Sequence, residues 1–180
     1  GRSYREFVAD RIFGPLGMAH TKFCAMDEVN ENTAEGYSAC YDGENRFTHW
    51  KKNIYSYPPV GSPDAGAYTT ARDMDRFFRE MKKGALLDGT HTQMLFSPHS
   101  RFTRPYTAWE PAHGAVIRNG YAFEFLEIDG DIFCMRKDGI NEGVCAMASY
   151  YPGMDTTAII LGNQDCNIWQ MHREIQTVLY

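Results

Sequence analysis

No stretch of the 180 residues stays apolar for the roughly 20 positions a membrane-spanning helix requires. There is no run of basic residues either. Asp and Glu outnumber Lys and Arg by 23 to 18, a net charge of −5 that argues against a nucleic-acid surface. The five cysteines (Cys24, Cys40, Cys134, Cys145 and Cys166) are odd in number, scattered, and never spaced C-x-x-C. That pattern predicts buried free thiols in place of disulfides or a metal site. The six histidines (His20, His49, His91, His99, His113 and His172) contain no H-E-x-x-H and no paired ligand spacing. A zinc centre is therefore not expected, and nothing implies a cofactor. Signatures of an activated serine are missing too: no Ser has Lys three residues later, and G-x-S-x-G does not occur. The opening Gly1-Arg-Ser-Tyr-Arg-Glu6 has neither an initiator Met nor a signal peptide and runs straight into a helix pattern. It reads as an internal cut, which leaves the compartment unknown; free thiols favour the cytoplasm.

What is present describes a globular chain. Hydrophobic residues make up 43% and charged residues 23%, enough apolar material for one domain with a sizeable core. Ser3-x-x-Glu6 is a capping box, followed by Phe7, Val8 and Ile12 at helical spacing and a stop at Gly14-Pro15. Thr70-x-x-Asp73 opens a second helix, whose stripe of Met74, Phe77, Phe78 and Met81 closes at Lys82-Lys83-Gly84. A short helix is predicted over residues 90–96. A last one is predicted from about Asp165, burying Ile168, Met171, Ile175 and Val178 or Leu179.

From Gly120 onward the pattern turns to strands. Residues 121–128 and 131–136 flank Asp129-Gly130, the strongest short hairpin signal. Residues 144–151 and 156–161 flank a second turn, Pro152-Gly153-Met154-Asp155. Helices on either side of an antiparallel meander make the class α+β. Residues 24–65 and 97–119 remain as long loops of the kind that cover sites. Their aromatics (Tyr41, Trp50, Tyr55, Tyr57, Tyr106 and Trp109) either wall a substrate pocket or pin the loops to the body. Asp64, Asp73 and Asp88 are explained by turns or caps, Arg72 and Arg136 as surface or structural cations. Glu124 and Glu127 have no support as a catalytic carboxylate pair.

Lys137-Asp138-Gly139 places a cation, a glycine and a free backbone edge at the end of an apolar strand. Three further segments keep it company. Residues 3–21 resemble the "Y-x-x-F-v-x-x-x-I-f-x-P-L-G-M-x-x-T" segment of class C β-lactamase-like serine hydrolases. Ala65-Gly-Ala-Tyr-Thr-Thr-Ala-Arg-Asp-Met74 resembles their "A-G-G-l-x-S-T-a-x-D-l" helix entry, and Gly120-Tyr-Ala-Phe123 their "G-Y-G-F" strand. Lys137-Asp-Gly with Gly143 and Leu161-Gly-Asn163 is similar to "K-T-G-x-x-x-G…L-x-N". Four motifs in order over nearly the whole chain make the resemblance specific.

The resemblance implies a partial β-lactamase/transpeptidase-like domain over residues 1–180, the C-terminal half of a hydrolase of esters or amides, β-lactams included. Its S-x-x-K and Y-x-N motifs belong upstream, and neither occurs here. By analogy Lys137 supplies positive charge, Gly139 admits an acyl group against the strand, and the Ile140 N–H is one oxyanion donor. Asp138 stands where the family has Thr or Ser. A carboxylate there cannot donate to a substrate carboxylate, which leans toward esters or amine-bearing substrates unless strand alternation turns it away. Asn163 orients substrate or a loop, or caps the last helix; Tyr106 and Trp109 are the candidate substrate walls. The chain alone is expected to be inert. The other reading is a non-catalytic module that dimerises or swaps segments through an apolar edge at residues 156–162.

Overall fold

A computed structural model describes residues 1–180 except 57 and 102–104, with the backbone alone at 101. The centre is an antiparallel sheet built from β5 (Ser100–Arg101), β6 (Val116–Asn119), β7 (Glu124–Ile128), β8 (Asp131–Asn141), β9 (Val144–Tyr151) and β10 (Thr156–Gly162). Their spatial order is β10-β9-β8-β7-β6-β5, so every neighbour in space is a neighbour in sequence. Such a meander needs only tight turns. Asp129 and Gly130 supply one with both residues at positive φ, +53° and +92°, the geometry a two-residue hairpin demands. Outside this sheet β1 (Lys22–Phe23) pairs with β4 (Ala67–Tyr68), and β2 (Tyr37–Tyr41) with β3 (Phe47–Lys52). The helices are α1 (Tyr4–Val8), α2 (Ala71–Lys82), α3 (Gly89–Leu95), α4 (Trp109–Ala112) and α5 (Ile168–Leu179). The α+β class and the antiparallel meander are borne out.

Alternation along the strands gives the sheet two different faces. On one, Phe123, Phe125, Met135 and Tyr150 bury against Phe78 and Met81 of α2, so the predicted stripe is the core face. The capping box at Ser3 and Glu6 forms as expected. Thr70 caps α2, but the Asp73 carboxylate does not reach back to it. It is buried and accepts from the His20 N–H at 2.7 Å and from Thr21 Oγ1 at 2.8 Å, clamping the turn after the Pro-Leu-Gly-Met run.

The other face carries Ile117, Leu126, Cys134 and Tyr151 with Trp109 from α4. Arg136 lies among them, only 1% exposed, with Glu110 at 3.3 Å, Glu124 at 3.4 Å and the Trp169 ring 4.7 Å away. Burial is tolerable because the guanidinium meets two carboxylates and an aromatic face. This polar layer corrects the expectation for the last helix. It begins at Ile168, capped by the Asn167 side chain, and buries Ile168, His172 and Gln176, while Met171 and Val178 are exposed. His172 Nε2 lies 2.8 Å from Ser149 Oγ, so polar groups on the sheet select the polar side of the helix. Burial, with Arg136 nearby, pulls the His172 pKa down to about 3.

Three further expectations need revising. β7 starts at Glu124, three residues late, because Gly120 closes a turn by donating to the Phe123 carbonyl at 2.8 Å. β8 continues past Arg136 to Asn141, so Lys137-Asp138-Gly139 lies within a strand. Cys145 and Cys166 are not free thiols but a disulfide. Gly162 makes room for it: a Cβ there would sit 2.6 Å from Cys145 Sγ and 3.3 Å from Cys166 Sγ. Cys24, Cys40 and Cys134 remain free.

Candidate active site

β8 outruns its neighbour. Its pairing with β7 ends at Glu124↔Arg136, whereas its pairing with β9 continues to Asn141↔Val144. Residues 137–141 therefore have β9 on one edge and, among the described residues, no strand on the other. Which N–H groups face the open edge follows from the turn. Asn141 and Val144 oppose each other across two residues and exchange both ladder hydrogen bonds, so their backbone groups point to β9. One residue back along the pleat, the Ile140 N–H points to the open edge, and so does that of Asp138.

This overhang forms one wall of a cleft of about 590 Å³. Its floor is a row across three strands, Gly139, Ala146 and Leu161, set by the pairings Gly139↔Ala146 and Ala146↔Leu161. A Cβ built on Gly139 would meet nothing within 4 Å, so the protein's own packing does not require glycine there. What its absence of a side chain leaves is open space against the strand. The facing wall is the segment around Gly61 and Asp64–Thr69, with Cys24 and Met26 beside it. Tyr68 on that wall has its phenol pKa raised, first by burial and then by neighbouring Cys24.

Lys137 is 60% exposed, and its ammonium folds along the strand onto its neighbour. Nζ donates to the Asp138 carbonyl at 2.7 Å and lies 3.3 Å from Asp138 Oδ1. The structure thus brings Lys137, Asp138, Gly139, Ile140 and Asn163 to one cleft. Asn163 does not cap α5. Its side-chain amide donates to the Glu35 carbonyl at 2.9 Å and its carbonyl accepts from the Tyr37 N–H at 2.9 Å, tying the approach to β2 onto the end of β10.

Tyr106 and Trp109 are not brought to the cleft. Tyr106 donates to Glu124 at 2.9 Å and packs on Trp169; burial and that carboxylate raise its pKa to about 12. Trp109 is buried, stacked on His113 and donating to Thr177 at 3.2 Å. It pins its loop to the body. Tyr41, Trp50 and Tyr55 are exposed and outside the cleft lining, and Tyr57 lies outside the described residues.

Sequence reasoning missed the groups that hold the wall in place. Asn53 is buried and donates through Nδ2 to the Glu142 carbonyl at 2.8 Å. Asp165 Oδ1 accepts from the Gly143 N–H at 2.9 Å. Gly143 itself sits at φ +72°, where a Cβ would lie 2.9 Å from the Tyr37 carbonyl carbon. The glycine carries a local signal, but the partners do not: nothing in the sequence around Asn53 or Asp165 points to a turn so far along the chain.

Comparison with known proteins shows which folds this one resembles. A penicillin-binding protein from Bacillus halodurans superposes with a TM-score of 0.83 at 27% identity, covering 98% of this chain and 49% of that one. The octameric penicillin-binding protein homologue from Pyrococcus abyssi gives 0.69 at 17% identity, over 91% of this chain and 34% of that one. A mutant of a class C β-lactamase gives 0.58 at 16% identity, over 95% and 50%. The chain thus spans about half the length, or less, of these structures. No curated protein sequence matches it significantly. The family model described as Beta-lactamase matches residues 1–177, and the chain belongs to that family.

Proposed function

We propose that this chain supplies one wall of the acyl-transfer site of a serine hydrolase acting on ester or amide bonds, β-lactams among them. The observation that carries the reading is the open edge of β8 beside a glycine that internal packing does not require. Acyl transfer concentrates negative charge on the carbonyl oxygen, and a fixed N–H in a sheltered site stabilises that charge. The Ile140 N–H is one such donor. Gly139 lets the acyl group lie against the strand, and Lys137 adds positive charge at the same edge. A serine outside these 180 residues attacks the carbonyl carbon; the C–O or C–N bond to the leaving group breaks, and the leaving group takes up a proton. Water then releases the acyl group.

The test is a full-length product that carries an S-x-x-K segment together with these residues. It hydrolyses p-nitrophenyl acetate and is labelled on that serine by a fluorophosphonate, while residues 1–180 alone do neither. Ile140→Pro removes one edge N–H and lowers kcat about 10²–10³-fold. An intact protein that neither turns over the ester nor takes the label ends the proposal.

A second reading rests on β10, the outermost strand of the large sheet. Along residues 156–161 its outer edge has no backbone ladder partner among the described residues, and such edges recruit other chains. In this reading the chain is an interaction module that dimerises or swaps a segment through residues 156–162. Sedimentation equilibrium decides it: a dimer dispersed by a proline at Ile159 supports edge pairing, and a monomer at high concentration removes it.

A further inference from the structure

The charges in the cleft are not those of a carboxylate-binding site. Among the described residues its lining holds one cation, Lys137, and two carboxylates, Asp64 on the facing wall and Asp138 on β8, and no arginine. The cation is already engaged, bonded to the Asp138 carbonyl and 3.3 Å from its carboxylate. An incoming substrate carboxylate would compete with Asp138 for that ammonium. It would also meet a second negative charge with no proton to share, because an ionised carboxylate only accepts hydrogen bonds. A substrate ammonium gains instead from both carboxylates, since the charged groups of the described lining carry one negative charge in excess.

Asp138 is placed for this role by the end of β7. By the pleat its side chain belongs to the opposite face from Lys137 and Gly139, as its pairing with buried Met147 shows. Among the described residues no strand covers that edge beyond Arg136, so the carboxylate stays 27% exposed and the Lys137 ammonium, folded along the strand, comes within 3.3 Å of it.

Building on the acyl-transfer reading above, we propose that Asp138 is a specificity-determining residue and that the site takes acyl substrates carrying an ammonium group near the scissile carbonyl, such as amides and esters of amino acids with a free amine.

The experiment uses the full-length protein and three chromogenic amides that differ only at one end: alanine p-nitroanilide, its N-acetyl derivative and its N-succinyl derivative. p-Nitrophenyl acetate reports the underlying reaction. The expected order of kcat/KM is free amine above acetyl above succinyl, with the extremes separated by about tenfold or more, as charge contacts at partly solvated sites imply. Asp138→Thr and the near-isosteric Asp138→Asn, each first checked for an unchanged circular dichroism spectrum, shrink or invert that order. Hydrolysis of p-nitrophenyl acetate without amine preference, or an order that both variants leave intact, overturns the inference while the acyl-transfer reading stands. Failure on all four compounds overturns the acyl-transfer reading itself, and the inference with it.

Discussion

Asp165 accepts from the Gly143 N–H through Oδ1 and from the Ala39 N–H through Oδ2, both at 2.9 Å. One carboxylate thus joins the turn that ends β8 to the strand β2, and Asn53 grips the same turn from the other side through the Glu142 carbonyl. The open edge of β8 is held by its far end. Asp165→Ala leaves two N–H groups without this acceptor and is expected to cost about 1–2 kcal/mol, read from urea unfolding. Asp165→Asn keeps only one of the two acceptor oxygens and sets an NH2 donor against the other N–H, so it should recover at most part of the stability lost in Asp165→Ala.

Two glycines four residues apart should respond in opposite ways. Gly143→Ala puts a methyl against the backbone of Tyr37 at a φ of +72°, and both the clash and the strained conformation count against it. A loss of about 2–4 kcal/mol is expected. Gly139→Ala meets no atom and should change stability by less than about 0.5 kcal/mol. On the acyl-transfer proposal, Gly139→Val in a product that also carries an S-x-x-K segment should lower kcat/KM, because the branched side chain occupies the space an acyl group would need. Thermal unfolding and turnover measured on the same variants separate the two roles.

The Cys145–Cys166 disulfide closes a loop across a sequence separation of 21. Constraining an unfolded chain by a loop of that size is worth about 3 kcal/mol in the chain-entropy account. Reduction should therefore lower the melting temperature by roughly 10 °C for a chain of this size. Under denaturing, non-reducing conditions thiol titration should find the three free cysteines, Cys24, Cys40 and Cys134, and all five only after reduction.

His172 should make the fold acid-sensitive above the range where carboxylates protonate. Its pKa is about 3 in the folded protein against an ordinary 6.5, from burial first and Arg136 second. Between those values the unfolded chain binds a proton that the folded chain refuses, so stability falls as pH falls from about 6.5 toward 3. The slope cannot exceed about 1.4 kcal/mol per pH unit for one group. Carboxylates with lowered pKa, such as Asp155 beside Tyr150 and Lys82, add to the loss only further into acid. His172→Gln should flatten the profile between pH 6.5 and 4.5; an unaltered slope assigns the sensitivity elsewhere.

Much of the architecture was legible in the linear chain because it rests on short-range rules. Asp129-Gly130 demands a two-residue turn wherever it stands, and the spacing of Met74, Phe77, Phe78 and Met81 makes one helical face apolar regardless of what it meets. The family followed from four local motifs, and Lys137-Asp138-Gly139 marked the cleft because its residue types are themselves unusual at a strand edge.

Other features existed only once the chain had closed on itself. The buried side of α5 is partly polar because Arg136 and Ser149 lie beneath it, so a reading that sought apolar spacing found buried Ile168 and core-packed Leu179 but also chose Met171, which faces solvent, and passed over His172 and Gln176. Cys145 meets Cys166 because Gly162 leaves room between adjacent segments, a matter of packing to which counting cysteines is blind. Asn53, Gly143 and Asp165 converge on one turn from three distant parts of the sequence. Periodicity and turn chemistry are properties of neighbouring residues and can be read along a line, whereas hydrogen bonds and charge pairs between remote groups depend on distances that only the folded backbone sets.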